Sequence, residues 1–185
     1  MNLNEVDKSW TLFLDRDGVI NAELKNDYVL EWEAFHFLEG VKKALKTLNR
    51  LFTTIVIVTN QKCIGKGLIT ETGLAVIHKQ MIQEIEEAGG RIDKIYYCPD
   101  LSDDSPNRKP NAGMALQAKT DFPQIDFSKA IMVGNKLSDM QFGRNAGIYT
   151  VFAATTNPET AFPHPAIDFR VNSLLEFSEA LINAL

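Results

Sequence analysis

The chain has little with which to cross-link itself or to cross a membrane. Two cysteines, Cys63 and Cys98, occur in 185 residues, too few for a disulfide framework or a four-cysteine zinc site. A reducing, cytoplasmic setting fits that composition. No apolar run is long enough to span a bilayer, so no membrane role is expected. The N-terminal stretch is polar and acidic, unlike a signal peptide. A basic surplus is missing too: 19 Lys and Arg stand against 24 Asp and Glu, for a net charge of -5, which argues against nucleic acid as a main partner. Repeats and low-complexity tracts are absent. What remains is an ordinary globular composition, 45% hydrophobic and 23% charged. Its length suits one domain over residues 1–185 with a sizeable core. No motif reports on oligomeric state, and a monomer is the default expectation.

Short apolar runs alternate with helical patterns. Trp10 to Leu14, Ile95 to Cys98, Ala130 to Val133 and Tyr149 to Phe152 read as strands. Ile55 to Val58 is a β-branched run without polar alternation, as in a central parallel strand covered on both faces. Val41, Ala44, Leu45, Leu48 and Leu51 recur at helical spacing, as do Leu74, Ile77, Met81, Ile82, Ile85 and Ala88, with Gly89-Gly90 as a stop. Further helices are expected over Ala112 to Lys119, over Met140 to Asn145, and around Leu174, Leu181 and Ile182, where Ser173 and Glu176 resemble a capping box. Residues 20–39, 99–110 and 153–170 read as irregular. The alternation predicts an α/β fold, a Rossmann-like doubly wound parallel sheet with right-handed crossovers and no room for a cap domain of usual size.

The ends of the strands carry the chemistry. Leu12-Phe13-Leu14-Asp15-Arg16-Asp17-Gly18 is an apolar run ending in two carboxylates one residue apart, then a glycine. Strand alternation points Asp15 and Asp17 the same way. The carboxyl edge of an open α/β sheet is where such folds bind ligands, and like charges this close are costly without a cation between them. A lone Asp-x-Asp-Gly also fits a solvated turn, so the other strand ends decide. The second ends Val58-Thr59-Asn60-Gln61, the third is followed by Asn107-Arg108-Lys109-Pro110, and the fourth runs on as Gly134-Asn135-Lys136-Leu137-Ser138-Asp139. Acids, a hydroxyl, cations and a glycine turn converging on one edge suit a phosphate bound beside a divalent metal.

Taken in order, Asp15-Arg16-Asp17-Gly18, Thr59, Lys109 and the Gly134–Asp139 segment resemble the motifs of the haloacid dehalogenase (HAD) superfamily of phosphohydrolases. The match extends from about residue 10 to the last helix. It is closest to the branch holding heptose-bisphosphate and histidinol-phosphate phosphatases. The resemblance implies that Asp15 attacks phosphorus, that Asp17 serves as acid and then base, and that Thr59 and Lys109 hold the phosphoryl oxygens. It implies Mg2+ between Asp15, the Asp17 carbonyl and the motif-four side chain Asn135, with Asp139 either a further ligand or an orienting group for Lys109. Asn60, Arg108, Lys66 and Lys136 are the expected substrate contacts. The implied substrate is a small phosphorylated metabolite, D-glycero-D-manno-heptose 1,7-bisphosphate before histidinol phosphate. A weakened phosphate-binding protein and a nucleic-acid 3′-phosphatase are rival readings.

Two departures from that pattern stand out. Asn135 occupies the place where the superfamily usually has Asp, so one unit of charge beside the metal is missing. Weakened Mg2+ binding is expected, with Asn135→Asp tightening it. The Cys98–Asn107 loop keeps only Cys98 of the branch's usual cysteine and histidine zinc ligands, so no structural zinc is expected. His78 reads as structural rather than catalytic, Cys63 as a bystander near the site, and Asp103-Asp104 as a solvated turn. Gly65-Lys66-Gly67 fits a substrate loop and a flexible basic turn equally well.

Overall fold

The apolar runs lie side by side in one sheet. The computed structural model describes residues 2–184. Its six-stranded sheet has the order β3-β2-β1-β4-β5-β6, built from β1 (Thr11–Leu14), β2 (Thr54–Asn60), β3 (Lys94–Cys98), β4 (Ala130–Gly134), β5 (Tyr149–Ala153) and β6 (Phe169–Val171). Every pairing is parallel, with Leu12 beside Ile55 and Ile131, and Phe13 beside Val56 and Met132. The helices are α1 (Val41–Leu51), α2 (Lys62–Gly65), α3 (Glu71–Glu87), α4 (Gly113–Asp121), α5 (Leu137–Ala146) and α6 (Leu174–Ala184).

Strand alternation divides the core in two. Leu12, Leu14, Ile55, Ile57, Ile131 and Val133 pack under α1, α3 and α6. Phe13, Val56, Val58 and Met132 face the other way, against Met114, Ala115 and Ala118 of α4 and Phe142 of α5. With both faces covered, the central strands run unbroken and apolar from Leu12 to Leu14 and from Ile55 to Val58, with polar residues only at their ends. The chemistry therefore begins where the apolar run stops.

β6 lies partly inside the stretch read as irregular, three residues long at the sheet edge, too short for its own signal. The four-residue α2 was also unforeseen. At α6 the Glu176 amide donates to Ser173 Oγ at 3.1 Å, but the Glu176 carboxylate accepts from the Asn172 amide at 2.7 Å, one residue earlier than a reciprocal box requires. Between β1 and α1 the chain forms one short 3-10 helix, Trp32–Ala34, rather than a folded insert.

Candidate active site

At the end of β1 the Asp15 amide donates to the Val133 carbonyl at 2.9 Å, carrying the β1–β4 pairing one residue past the strand. The chain then turns through Gly18 at φ 89°. A Cβ there would lie 2.1 Å from Asn135 Nδ2, so both the dihedral and the close approach require glycine. Asp15 ends up 6% exposed. Lys109 Nζ sits 2.8 Å from Asp15 Oδ1 and 2.7 Å from Asp139 Oδ1, a buried cation between two carboxylates. Burial pushes the Asp15 carboxyl up, to about 7, against the attraction of Lys109 and with the help of Asp139. Burial lowers the Lys109 ammonium, but Asp139 and Asp15 outweigh it and leave it above its usual value.

Asp139 uses its second oxygen on the amides of Asn135, at 3.2 Å, and Lys136, at 3.0 Å. Both its oxygens are engaged, one on Lys109 and one at the α5 N-terminus, the orienting arrangement expected for Lys109.

Asp17 has a different neighbourhood. Arg16 Nη2 donates to both its oxygens at 2.9 and 3.0 Å, and Asn21 Nδ2 and Gln61 Nε2 add bonds of 2.9 Å each. Burial raises this carboxyl, but the Arg16 guanidinium and these donors outweigh it and hold it below the usual carboxylate range. Arg16 is itself buried, and its Nη1 meets His78 Nε2 at 3.1 Å. Burial, aided by the Arg16 charge, drives the imidazole down to about 3, so His78 is a neutral acceptor that supports Arg16.

Thr59 is 1% exposed at the end of β2, its hydroxyl accepting from Gln61 Nε2 at 2.9 Å. Asn60 bonds the Lys109 backbone reciprocally, Nδ2 to the carbonyl and Oδ1 from the amide, each at 3.0 Å. Asn60 thus places Lys109 while lining the cleft itself. Cys63 is buried beside Gln61, and burial raises its thiol pKa.

Asp15, Asp17, Thr59, Gln61, Lys109 and Asp139 line a cleft of about 780 Å³. Its walls hold Lys66, whose Nζ lies 5.0 Å from the centre of the Tyr28 ring, and Arg108, whose Nε donates to Asp103 at 2.9 Å. Asp103 also pairs with Lys62 at 3.2 Å; it lies in an exposed turn, as read from the sequence, and bridges two cleft cations from there. Lys136 reaches the cleft paired with Glu23. In the neighbouring loop Cys98 Sγ lies 3.6 Å from Asp100 Oδ2, and burial raises the thiol pKa.

The fit to a divalent cation rests on one orphaned atom. Asn135 is fully buried, and its Oδ1 has no hydrogen-bond partner among the described residues. Its Nδ2 donates to Glu23 Oε2 at 2.9 Å and to the Thr156 hydroxyl. No group of three His, Cys, Asp or Glu side chains poised for a metal exists among the described residues. Asp15, the Asp17 carbonyl and Asn135 Oδ1 instead offer one carboxylate and two neutral oxygens, a set that a hard, partly hydrated ion such as Mg2+ accepts. Glu23, Thr156 and the Asn157 side chain, which donates to the Asn135 carbonyl at 2.8 Å, escaped the sequence reading.

A buried lysine between two aspartates, a further aspartate after the same strand, and a buried hydroxyl thus meet at the carboxyl edge of a doubly wound sheet. A family model described as "Polynucleotide kinase 3 phosphatase" matches residues 9–177. The D-glycero-beta-D-manno-heptose-1,7-bisphosphate 7-phosphatase of Salmonella typhi is 37% identical over 179 residues, covering 92% of this chain and 94% of its own. The D-glycero-alpha-D-manno-heptose-1,7-bisphosphate 7-phosphatase of Mycobacterium bovis is 35% identical over 176 residues, covering 95% of this chain and 93% of its own. A solved D,D-heptose 1,7-bisphosphate phosphatase from B. bronchiseptica, complexed with magnesium and phosphate, superposes with a TM-score of 0.86 at 27% identity, covering 95% of this chain and 99% of that one. The chain belongs to this family of HAD-type phosphatases.

Proposed function

We propose that the chain hydrolyses the 7-phosphate of D-glycero-D-manno-heptose 1,7-bisphosphate through a phosphoryl-aspartate at Asp15. The observation that carries this reading is the buried Asp15–Lys109–Asp139 arrangement at the floor of an open cleft lined by charges of both signs. Relatives matching nearly the whole chain and named for that substrate support it.

The steps follow from the side chains. Asp15 attacks phosphorus, and its new O–P bond forms as the bond from phosphorus to the sugar oxygen breaks. Asp17 delivers a proton to that leaving oxygen, then takes one from the water that attacks phosphorus and breaks the O–P bond to Asp15. Lys109 and the Thr59 hydroxyl hold the non-bridging oxygens, and Asp139 keeps Lys109 charged and aimed. Lys66, Arg108 and Lys136 line the route to the far end of the substrate. Mg2+, held by Asp15, the Asp17 carbonyl and Asn135 Oδ1, supplies charge neutralisation at the phosphoryl group when bound. The two buried thiols fit a reducing cytoplasm.

The test is Mg2+-dependent phosphate release from heptose 1,7-bisphosphate, run beside histidinol phosphate and a 3′-phosphorylated oligonucleotide. Preference for the heptose is expected, and the two anomers named in the relatives are compared directly. The description of the matching family favours the oligonucleotide as second reading. Against it stand the net charge of -5 and the acidic Glu23, Asp27 and Asp103 on the cleft walls.

A further inference from the structure

Glu23 lies in the loop after β1, far in sequence from Asn135, yet its carboxylate joins two neighbours at the end of β4. One oxygen accepts from Asn135 Nδ2 at 2.9 Å, and the other pairs with Lys136 Nζ. The Glu23 side chain is only 22% exposed. The second Nδ2 proton of Asn135 goes to the Thr156 hydroxyl. Two acceptors on one side of the amide decide which end is nitrogen, so Oδ1 must face the opposite way. Oδ1 is buried without a donor among the described residues, and both ends of the amide lie close to the turn after Asp15 and Asp17, a Cβ at Gly18 falling 2.1 Å from Nδ2 and 3.1 Å from Oδ1.

We propose that Glu23 is a positioning residue for the cation site, holding Asn135 by its Nδ2 so that Oδ1 is left unpartnered and free to take a cation, and supplying the negative charge that the Asn135 amide lacks. The inference rests on the reading that Asn135 Oδ1 faces a divalent ion. A carboxylate bonded to the N–H end of an amide polarises it and makes its oxygen a better ligand. Carboxylates behind metal-binding histidines act in the same way, and losing such a partner typically weakens metal binding 10- to 100-fold. The bond through a neutral amide is a softer connection, so about 3- to 10-fold is expected here. Thr156 does the steering without the charge.

The arrangement also alters what Asn135→Asp would do. A carboxylate at that position has no proton to give Glu23 or Thr156, and it sets two like charges against each other. Glu23 should therefore help the cation only while residue 135 is an amide. The experiment is calorimetric titration of Mg2+ into the full chain and into Glu23→Gln, Asn135→Asp and the double variant, each first checked for cooperative thermal unfolding. Glu23→Gln is expected to weaken Mg2+ binding 3- to 10-fold in the parent chain and to leave it unweakened in the Asn135→Asp background. Thr156→Val should weaken it by a smaller factor. An unchanged Kd in Glu23→Gln overturns the proposal, and so does equal weakening in both backgrounds, which marks a merely structural role. Should the parent chain bind no Mg2+ while Asn135→Asp does, the cation reading of Asn135 itself is overturned, and the proposal with it.

Discussion

Asp15 and Asp17 leave the same strand two residues apart and enter opposite environments. Asp15 is buried against one lysine that it shares with Asp139, and its carboxyl is pushed up to about 7. Asp17 collects Arg16, Asn21 and Gln61, and its carboxyl is held down. One pole has an excess of negative charge for its single cation and is short of a positive partner. The other is saturated with donors. A divalent ion therefore has an electrostatic reason to bind at Asp15 and none at the Asp17 carboxylate. The same comparison shows what Asp17 must do in the proposed role. It can carry a proton to a leaving oxygen only after giving up part of the grip of Arg16, so substrate binding has to compete with that pair.

The comparison breaks most sharply at Asp15. Asp15→Asn is expected to lower phosphate release by roughly 10⁴-fold or more, because it removes the nucleophile. In metal-free solution above pH 7 the same variant should be more stable than the parent, since it removes an unfavourably buried charge. Thermal melts beside turnover assays check both halves, and a variant that is both inactive and destabilised would contradict the assignment of strain to Asp15. Asp17→Asn should cost less, about 10²- to 10⁴-fold in kcat, with phosphate binding retained.

Stability against pH sharpens the contrast in a second way. The Asp15 carboxyl is higher in the folded chain than its ordinary 3.8, so the folded state holds the extra proton and stability falls as pH rises from about 3.8 to about 7. His78 is depressed from 6.5 to about 3, so the unfolded state holds the extra proton and stability rises with pH across that interval. Each slope is at most about 1.4 kcal/mol per pH unit, and in the parent they largely cancel. In metal-free solution Asp15→Asn should reveal the rising His78 limb, and His78→Gln the falling Asp15 limb. Identical curves for the two variants would refute the opposed shifts. The smallest effect is expected at the rim, where Lys66→Ala should raise KM a few-fold with kcat nearly unchanged, about 0.5–1 kcal/mol for an exposed cation.

How much of this was legible beforehand follows from where each signal resides. Strands such as Ile55–Val58 and helices such as Val41–Leu51 carry their periodicity locally, and the sheet follows from their alternation. Asp15, Asp17 and Thr59 were legible because each stands at or just after the end of an apolar run, and Lys109 because it follows the loop after β3 as one of two adjacent cations ahead of a helix. β6 was not, because three residues at a sheet edge have no period to show. Glu23, Thr156 and Asn157 were not, because they belong to loops whose meeting at Asn135 is set by tertiary packing alone. The bonds of Asn60 to the Lys109 backbone were not legible either, since an amide's partners depend on the backbone that packing brings opposite it.

The most direct test of the account is to trap the phosphoryl group. Asp17→Asn, mixed with heptose 1,7-bisphosphate and Mg2+ and quenched in acid, is digested and its peptides weighed. The account predicts the added mass of one HPO3 on Asp15, absent from the same digest of Asp15→Asn. Phosphate release by the parent with no such adduct on Asp15, or with the adduct on another residue, would contradict it.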